Sequence, residues 1–183
     1  MFQKLLKKIA NELSAHNIPY MVIGGQAVLL YGEPRLTKDI DITLGIGIEG
    51  LKEVNSIIIQ KLNLKALVDE NFVQNTMVLM AMDEKTGIRV DFIFSFSLYE
   101  KQAIKRASDI KFGNTIVKFA SLEDLIIHKI IAGRAIDIED VRSIILKNPD
   151  YNTKYIKRWL QEFDKSLNEK FLKVFQKIVK EIR

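Results

Sequence analysis

YMVIGGQAVLLYGEPRLTKDIDITL, residues 20–44, sets two adjacent glycines, Gly24 and Gly25, directly after a short apolar run. Two aspartates, Asp39 and Asp41, then stand one residue apart inside a second apolar run. In an extended strand successive side chains alternate between faces, so Asp39, Asp41 and Thr43 point one way and Ile40, Ile42 and Leu44 the other. Two carboxylates on one face repel: unit charges about 4 Å apart cost roughly 4 kcal/mol at an effective dielectric of 20. A divalent cation relieves that repulsion, and carboxylate oxygens are the hard ligands such an ion takes.

Upstream of the aspartates, Tyr20–Ile23 reads as a short buried strand that the glycines turn into a helix from about Gln26 to Tyr31. Glycine permits close backbone approach, and the first turn of a helix offers unpaired N–H groups at the positive end of its dipole. Together these suit a phosphate. Any tight strand-to-helix turn asks for glycine too. Gly32 and Pro34 open a loop that returns through Arg35, Leu36, Thr37 and Lys38 to Asp39. Arg35 has the fork to grip a phosphate, and the Thr37 hydroxyl can orient a carboxylate; both are also ordinary loop residues.

Downstream, IRVDFIF from Ile88 to Phe94 puts Ile88, Val90, Phe92 and Phe94 on one face and Arg89, Asp91 and Ile93 on the other. Neighbouring strands lie about 4.8 Å apart, so if this strand pairs with the Asp39 strand, three carboxylates converge on a cation or two. Taken singly, Asp91 reads equally as an edge residue or an ion pair with Arg89.

Around these pieces the chain alternates helix and strand. Phe2, Leu5, Leu6, Ile9, Ala10 and Leu13 recur at helical spacing and predict an amphipathic first helix closed near His16. A helix is expected over Leu51–Leu62, a strand over Thr76–Met82, and a turn at Asp83–Gly87 before the Ile88 strand. Ser97 with Glu100, and Ser121 with Asp124, are capping patterns that open a short helix and a longer one carrying His128 and Lys129. Between them Gly113 and Asn114 join two short strands, Ser108–Phe112 and Thr115–Phe119. Gly133 ends the second helix, and Asp137 is read as the cap of the next, with Asp140 in its first turn. Lys129, among apolar residues, either faces a pocket where it can meet phosphate oxygens or snorkels outward; Arg134, Asp137 and Asp140 read as a structural ion-pair cluster. After the break at Asn148–Asp150, two amphipathic helices follow.

The 183 residues, 48% of them hydrophobic, suffice for a packed core. No apolar run approaches membrane-spanning length, and the amino terminus lacks the continuous apolar centre of a leader, so a cytoplasmic protein without a membrane partner is expected. Without cysteine there are no disulfides, thiolate metal sites or cysteine nucleophile. The net charge of +5 is concentrated at one end: residues 152–183 hold nine Lys or Arg against four Asp or Glu, and the remainder balances. That asymmetry favours a polyanionic partner such as RNA, although a solvated lysine-rich helix face has the same composition.

The glycine pair, the thirteen-residue spacer from Gln26 to Lys38, Asp39-Ile40-Asp41 and the later strand acid Asp91 together resemble the nucleotidyltransferase superfamily with a polymerase-beta-like core. GGQAVLLYGEPRLTKDIDI, with Lys129, Ala132-Gly133-Arg134, Asp137 and Asp140, is similar to the branch of small nucleotidyltransferases that includes abortive-infection type toxins. Many members carry Ser where this chain has Gly25. The resemblance implies an α+β fold: a mixed-sheet nucleotidyltransferase core flanked by helices over residues 1–148, with a helical appendage over 149–183 packed on it. It further implies that Asp39, Asp41 and Asp91 hold Mg²⁺ (or Mn²⁺), and that Gly24 and Gly25 cradle the phosphates of an NTP. Arg35, Thr37 and Lys129 would support that nucleotide, and an NMP group would pass to a hydroxyl of an acceptor, RNA or a protein, with pyrophosphate released. A non-catalytic nucleotide-binding or toxin–antitoxin module, and a small-molecule (antibiotic) transferase, are the alternatives.

Overall fold

The computed structural model describes residues 1–182. Among these the strands form a seven-stranded mixed sheet in the order β3-β4-β5-β2-β1-β7-β6, and the fold is α+β. The chain divides into two compact units, residues 1–26 with 36–120, and residues 27–35 with 121–183. No helix among the described residues is long and apolar enough to cross a membrane.

The first unit holds the whole sheet. Helix α1 (Phe2–Ala15) buries Leu5, Leu6, Ile9, Ala10 and Leu13, the stripe its spacing predicts, and packs on β7 (Thr115–Phe119). Burying each such leucine or isoleucine is worth about 1.5–3 kcal/mol. Strand β1 (Tyr20–Ile23) is buried on both faces, and its two edges are paired by the strands beside it. It pairs antiparallel with β2 (Asp39–Leu44) and parallel with β7. Strand β5 (Ile88–Phe94) lies parallel to β2 on its other side and forms a hairpin with β4 (Val78–Asp83) around the Asp83–Gly87 turn. Ile40, Ile42 and Leu44 of β2, with Val90, Phe92 and Phe94 of β5, are wholly buried. The acids take the opposite face of the same two strands.

The turn at Gly113–Asn114 joins β6 (Ser108–Phe112) to β7, and Ser97 with Glu100 forms a full capping box on α5 (Leu98–Lys105). Two expectations change. The helix expected over Leu51–Leu62 is α-helical only as α3 (Leu51–Ser56) and winds as a π-helix through Ile57–Leu62. Ile57, Ile58 and Leu62 of this turn are buried, and left-handed Asn63 ends it. The strand expected from Thr76 starts at Val78, because α4 (Glu70–Thr76), capped by the Asp69 carboxylate on the Phe72 N–H, occupies the residues before it. Strand β3 (Lys65–Ala66) pairs with β4 at the sheet edge.

The second unit is helical. Helix α2 (Gly24–Tyr31) begins in the first unit and contributes Ala27–Tyr31 to this one. Helix α6 (Leu122–Ala132) is capped by Ser121 and closed by left-handed Gly133, and it packs on α7 (Ala135–Lys147). The chain continues into α8 (Thr153–Leu167) and α9 (Phe171–Glu181), both packed on α6. Asp164 of α8 accepts the Phe171 and Leu172 N–H groups that open α9, and the Tyr155 hydroxyl donates to Asp124 at 2.8 Å. Leu125, Ile126, Ile127, Val141, Ile144, Ile156, Leu160 and Phe175 are fully buried at its centre.

Candidate active site

At the end of β1 the chain must reverse into a helix beside a carboxylate. Gly24 has φ +64°, a left-handed conformation that any side chain would strain, and a Cβ built there would lie 1.9 Å from Asp41 Oδ2. Gly25 is constrained by space alone: its Cβ would lie 2.5 Å from Thr37 Oγ1 and 2.8 Å from Thr37 Cβ. The Thr37 side chain thus occupies the room a serine at 25 would need, which explains the double glycine in this chain. Helix α2 then starts at Gly24 itself, two residues before the expected Gln26.

The parallel register of β2 and β5 sets Asp39 opposite Arg89 and Asp41 opposite Asp91, all on the face turned from the core. Thr37 Oγ1 donates to Asp39 Oδ1 at 3.1 Å. Arg89 spans two acids: its Nη2 donates to Asp39 Oδ2 at 3.1 Å, and its Nε stands 3.2 Å from Asp91 Oδ1. The second approach is an ion pair without hydrogen-bond alignment, so Asp91 Oδ1 is buried with no hydrogen bond. Burial pushes the Asp91 carboxyl above its usual range; the Arg89 charge opposes that, and the Asp39 charge adds to it.

In this side-chain arrangement no three acidic or histidine groups are gathered into a metal cage among the described residues. Asp39 is turned to Arg89 and Thr37 instead. The donor set still fits a hard divalent cation: three carboxylates on adjacent strands, one carrying a buried oxygen that lacks a hydrogen bond.

In the second unit Lys129, 3% exposed, sits between two buried carboxylates, 2.7 Å from Asp137 Oδ1 and 2.9 Å from Asp140 Oδ2. Arg35 grips Asp140 with both arms, Nε to Oδ1 at 2.8 Å and Nη2 to Oδ2 at 2.9 Å. Arg134 donates to Asp137 through Nε at 2.6 Å and Nη2 at 3.1 Å. Burial alone would raise the Asp137 carboxyl, but the hydrogen bonds from Arg134 and Lys129 outweigh it and hold it below its usual range. The helix that Asp137 was expected to cap begins instead at Arg134 as N-cap, with Asp137 in the first turn and Asp140 a turn beyond. Asp137 gives its oxygens to Lys129 and Arg134.

The sequence matches, over residues 2–174, a family described as a nucleotidyltransferase of unknown function (DUF6036). The chain belongs to this family. Similar solved structures include an antigenic nucleotidyltransferase-like protein from Paracoccidioides brasiliensis, at 15% identity and TM-score 0.57 over 90% of this chain and 87% of that one. The antibiotic-resistance factor ANT(2'')-Ia aligns at 17% identity and TM-score 0.53 over 98% of this chain and 91% of its own. The lincosamide antibiotic adenylyltransferase LnuA, solved with lincomycin, aligns at 16% identity and TM-score 0.53 over 77% and 96%. At these identities the likeness is one of fold. No curated protein matches the sequence.

Within this nucleotidyltransferase the first unit brings together Gly24, Gly25, Thr37, Asp39, Asp41 and Asp91, whereas Arg35 and Lys129 belong to the second unit and are paired with its aspartates. Arg89 is the site residue that sequence reasoning treated only as a partner for Asp91. Its position two residues before Asp91, on the same strand face, was the available signal. What it could not give is the register that also sets Arg89 against Asp39.

Proposed function

We propose that this nucleotidyltransferase moves an NMP group from an NTP to a hydroxyl of a macromolecular acceptor, RNA first, using Mg²⁺ or Mn²⁺ held by Asp39, Asp41 and Asp91. One observation supports this above the rest: Asp41 faces Asp91 across β2 and β5 while its own carboxylate fills the space beside Gly24. The acids and the glycine corner therefore share one sheet face.

The bound cations would supply charge neutralisation on the phosphates and on the oxygens that enter and leave. The chain's own groups do the rest. The N–H groups opening α2 at Gly24 and Gly25 face no side chain of their own residues and can take phosphate oxygens. Thr37 fixes Oδ1 of Asp39, while Oδ2 is held by Arg89. In the transfer, the acceptor oxygen bonds to the α-phosphorus, the bond from that phosphorus to the bridging oxygen breaks, and pyrophosphate leaves with the electron pair. Asp91, on the same sheet face as the other two acids, is the group proposed to accept the hydroxyl proton. Arg35 and Lys129, read from the sequence as nucleotide-supporting residues, are paired with Asp137 and Asp140 inside the second unit.

The surplus of positive charge in residues 152–183 favours RNA as acceptor, and a cytoplasmic location belongs to the same proposal. The experiment is incubation of the purified protein with each α-labelled NTP, Mg²⁺ or Mn²⁺, and separate RNA, protein and aminoglycoside or lincosamide acceptors. Label in RNA that an Asp39→Ala control fails to transfer supports the reading. Label only in protein or in a small molecule replaces the acceptor, and tight nucleotide binding without label in any of them would return the chain to a binding module.

A further inference from the structure

We propose that Arg89 has two alternative partners: the carboxylates of Asp39 and Asp91 before a cation arrives, and an oxygen of the nucleotide's phosphate chain once a cation has taken those carboxylates. The proposal rests on the nucleotidyl-transfer reading above. Its ground is the position of one guanidinium. Opposite Asp39 in the parallel register and two residues before Asp91 on its own strand, Arg89 sits on the same face as both. Its Nη2 is 3.1 Å from Asp39 Oδ2 and its Nε 3.2 Å from Asp91 Oδ1.

A cation shared by those two carboxylates would need the space and the lone pairs that the guanidinium now uses. Magnesium or manganese has twice the charge and a shorter approach, about 2.1 Å to oxygen, so it wins the competition once bound and repels the guanidinium. Arg89 can yield at little cost: its side chain is 47% exposed, and only one of its two contacts is an aligned hydrogen bond. The displaced charge then needs an anion. A nucleotide triphosphate carries more negative charge than one divalent ion cancels, and a planar guanidinium fork matches phosphate oxygens. Arg89 therefore neutralises the acids when no cation is bound and becomes a phosphate-binding residue when one is.

Opposite effects on two ligands follow. In the full chain, Arg89→Met should bind Mn²⁺ alone more tightly, by up to about fivefold, because a half-exposed ion-pair competitor has gone. It should bind a non-hydrolysable NTP analogue at saturating Mn²⁺ about tenfold more weakly, because a charge-assisted hydrogen bond has gone. Mn²⁺ titration followed by electron paramagnetic resonance and calorimetry with the analogue read the two separately. Unchanged or weaker Mn²⁺ binding overturns the competition; tighter Mn²⁺ with unchanged analogue binding overturns the phosphate half. Should Arg89→Met fail to fold, the wild-type Arg89 Nε–H resonance, assigned with Arg89→Lys, must shift when Mg²⁺ alone is added; a resonance that stays put overturns the proposal. If the wild type takes up neither Mn²⁺ nor the analogue, the transfer reading itself fails. If it takes up both and Arg89→Met alters neither, that reading stands and only the assignment to Arg89 falls.

Discussion

Glycine at position 25 is held there by the threonine it faces. A methyl group added at Gly25 meets Thr37 Oγ1 at 2.5 Å, while one added at Gly24 meets Asp41 and a left-handed backbone as well. Gly25→Ala should cost about 1–3 kcal/mol by overpacking, and Thr37→Gly should return most of it; a urea-denaturation double-mutant cycle measures the coupling. Gly24→Ala should not be rescued in that way, since the strain at φ +64° remains. Asp91 carries a second test at this scale. Its carboxyl titrates above the ordinary range when folded, so the folded chain binds more protons than the unfolded one between those two values, and stability falls as pH rises through that window. Asp91→Asn removes that slope. In EDTA the variant should gain on the wild type as pH climbs from below the ordinary carboxylate range to neutral, in melts taken across pH.

Among the elements, α6 and α7 are joined by charge in a place where apolar packing is the rule. Lys129 lies between two aspartates that are all but fully buried, so removing it leaves Asp140 to Arg35 alone and Asp137 to Arg134 alone. Lys129→Met should cost about 1–3 kcal/mol at neutral pH, and chemical denaturation reads the loss. Asp137 adds a pH signature to it. Its folded carboxyl titrates below the ordinary range, so its stabilisation is complete above that range and fades as pH falls toward the folded value; the penalty of Lys129→Met should shrink in acid.

These helices also mark where sequence reading ran short. DIDITL and IRVDFIF were legible because a two-residue period with one buried face leaves each side chain a single direction. The capping residues Ser97 and Ser121 were legible because their partners are three positions away. Asp137 was misplaced as a cap because its partner Lys129 belongs to another helix, and no local pattern announces an ion pair formed across a turn. Helix α4 escaped because it is short and buries only Val73, which leaves no periodic stripe to read.

At the scale of the whole molecule, the excess positive charge and the candidate site lie in different parts of the chain. The acids and glycines lie in the first unit, while the excess of lysine and arginine lies in residues 152–183 of the second. If that excess draws in an RNA acceptor, retention on RNA should fall steeply and log-linearly with salt. Lys154→Glu with Lys157→Glu, both exposed on α8, should weaken retention by about tenfold at low salt without changing nucleotide binding. Filter binding against a salt series checks both.

If the three strand acids beside the glycine corner transfer the nucleotidyl group itself, the phosphorus that moves is the α one. The most direct measurement follows ATP labelled at the α-phosphate and, in parallel, at the γ-phosphate, with the wild type and Asp41→Asn. Covalent label from the α-position alone, γ-label recovered as pyrophosphate, and loss of both in a folded Asp41→Asn protein is the outcome expected. Transfer of γ-label, or α-transfer that survives Asp41→Asn, would contradict it.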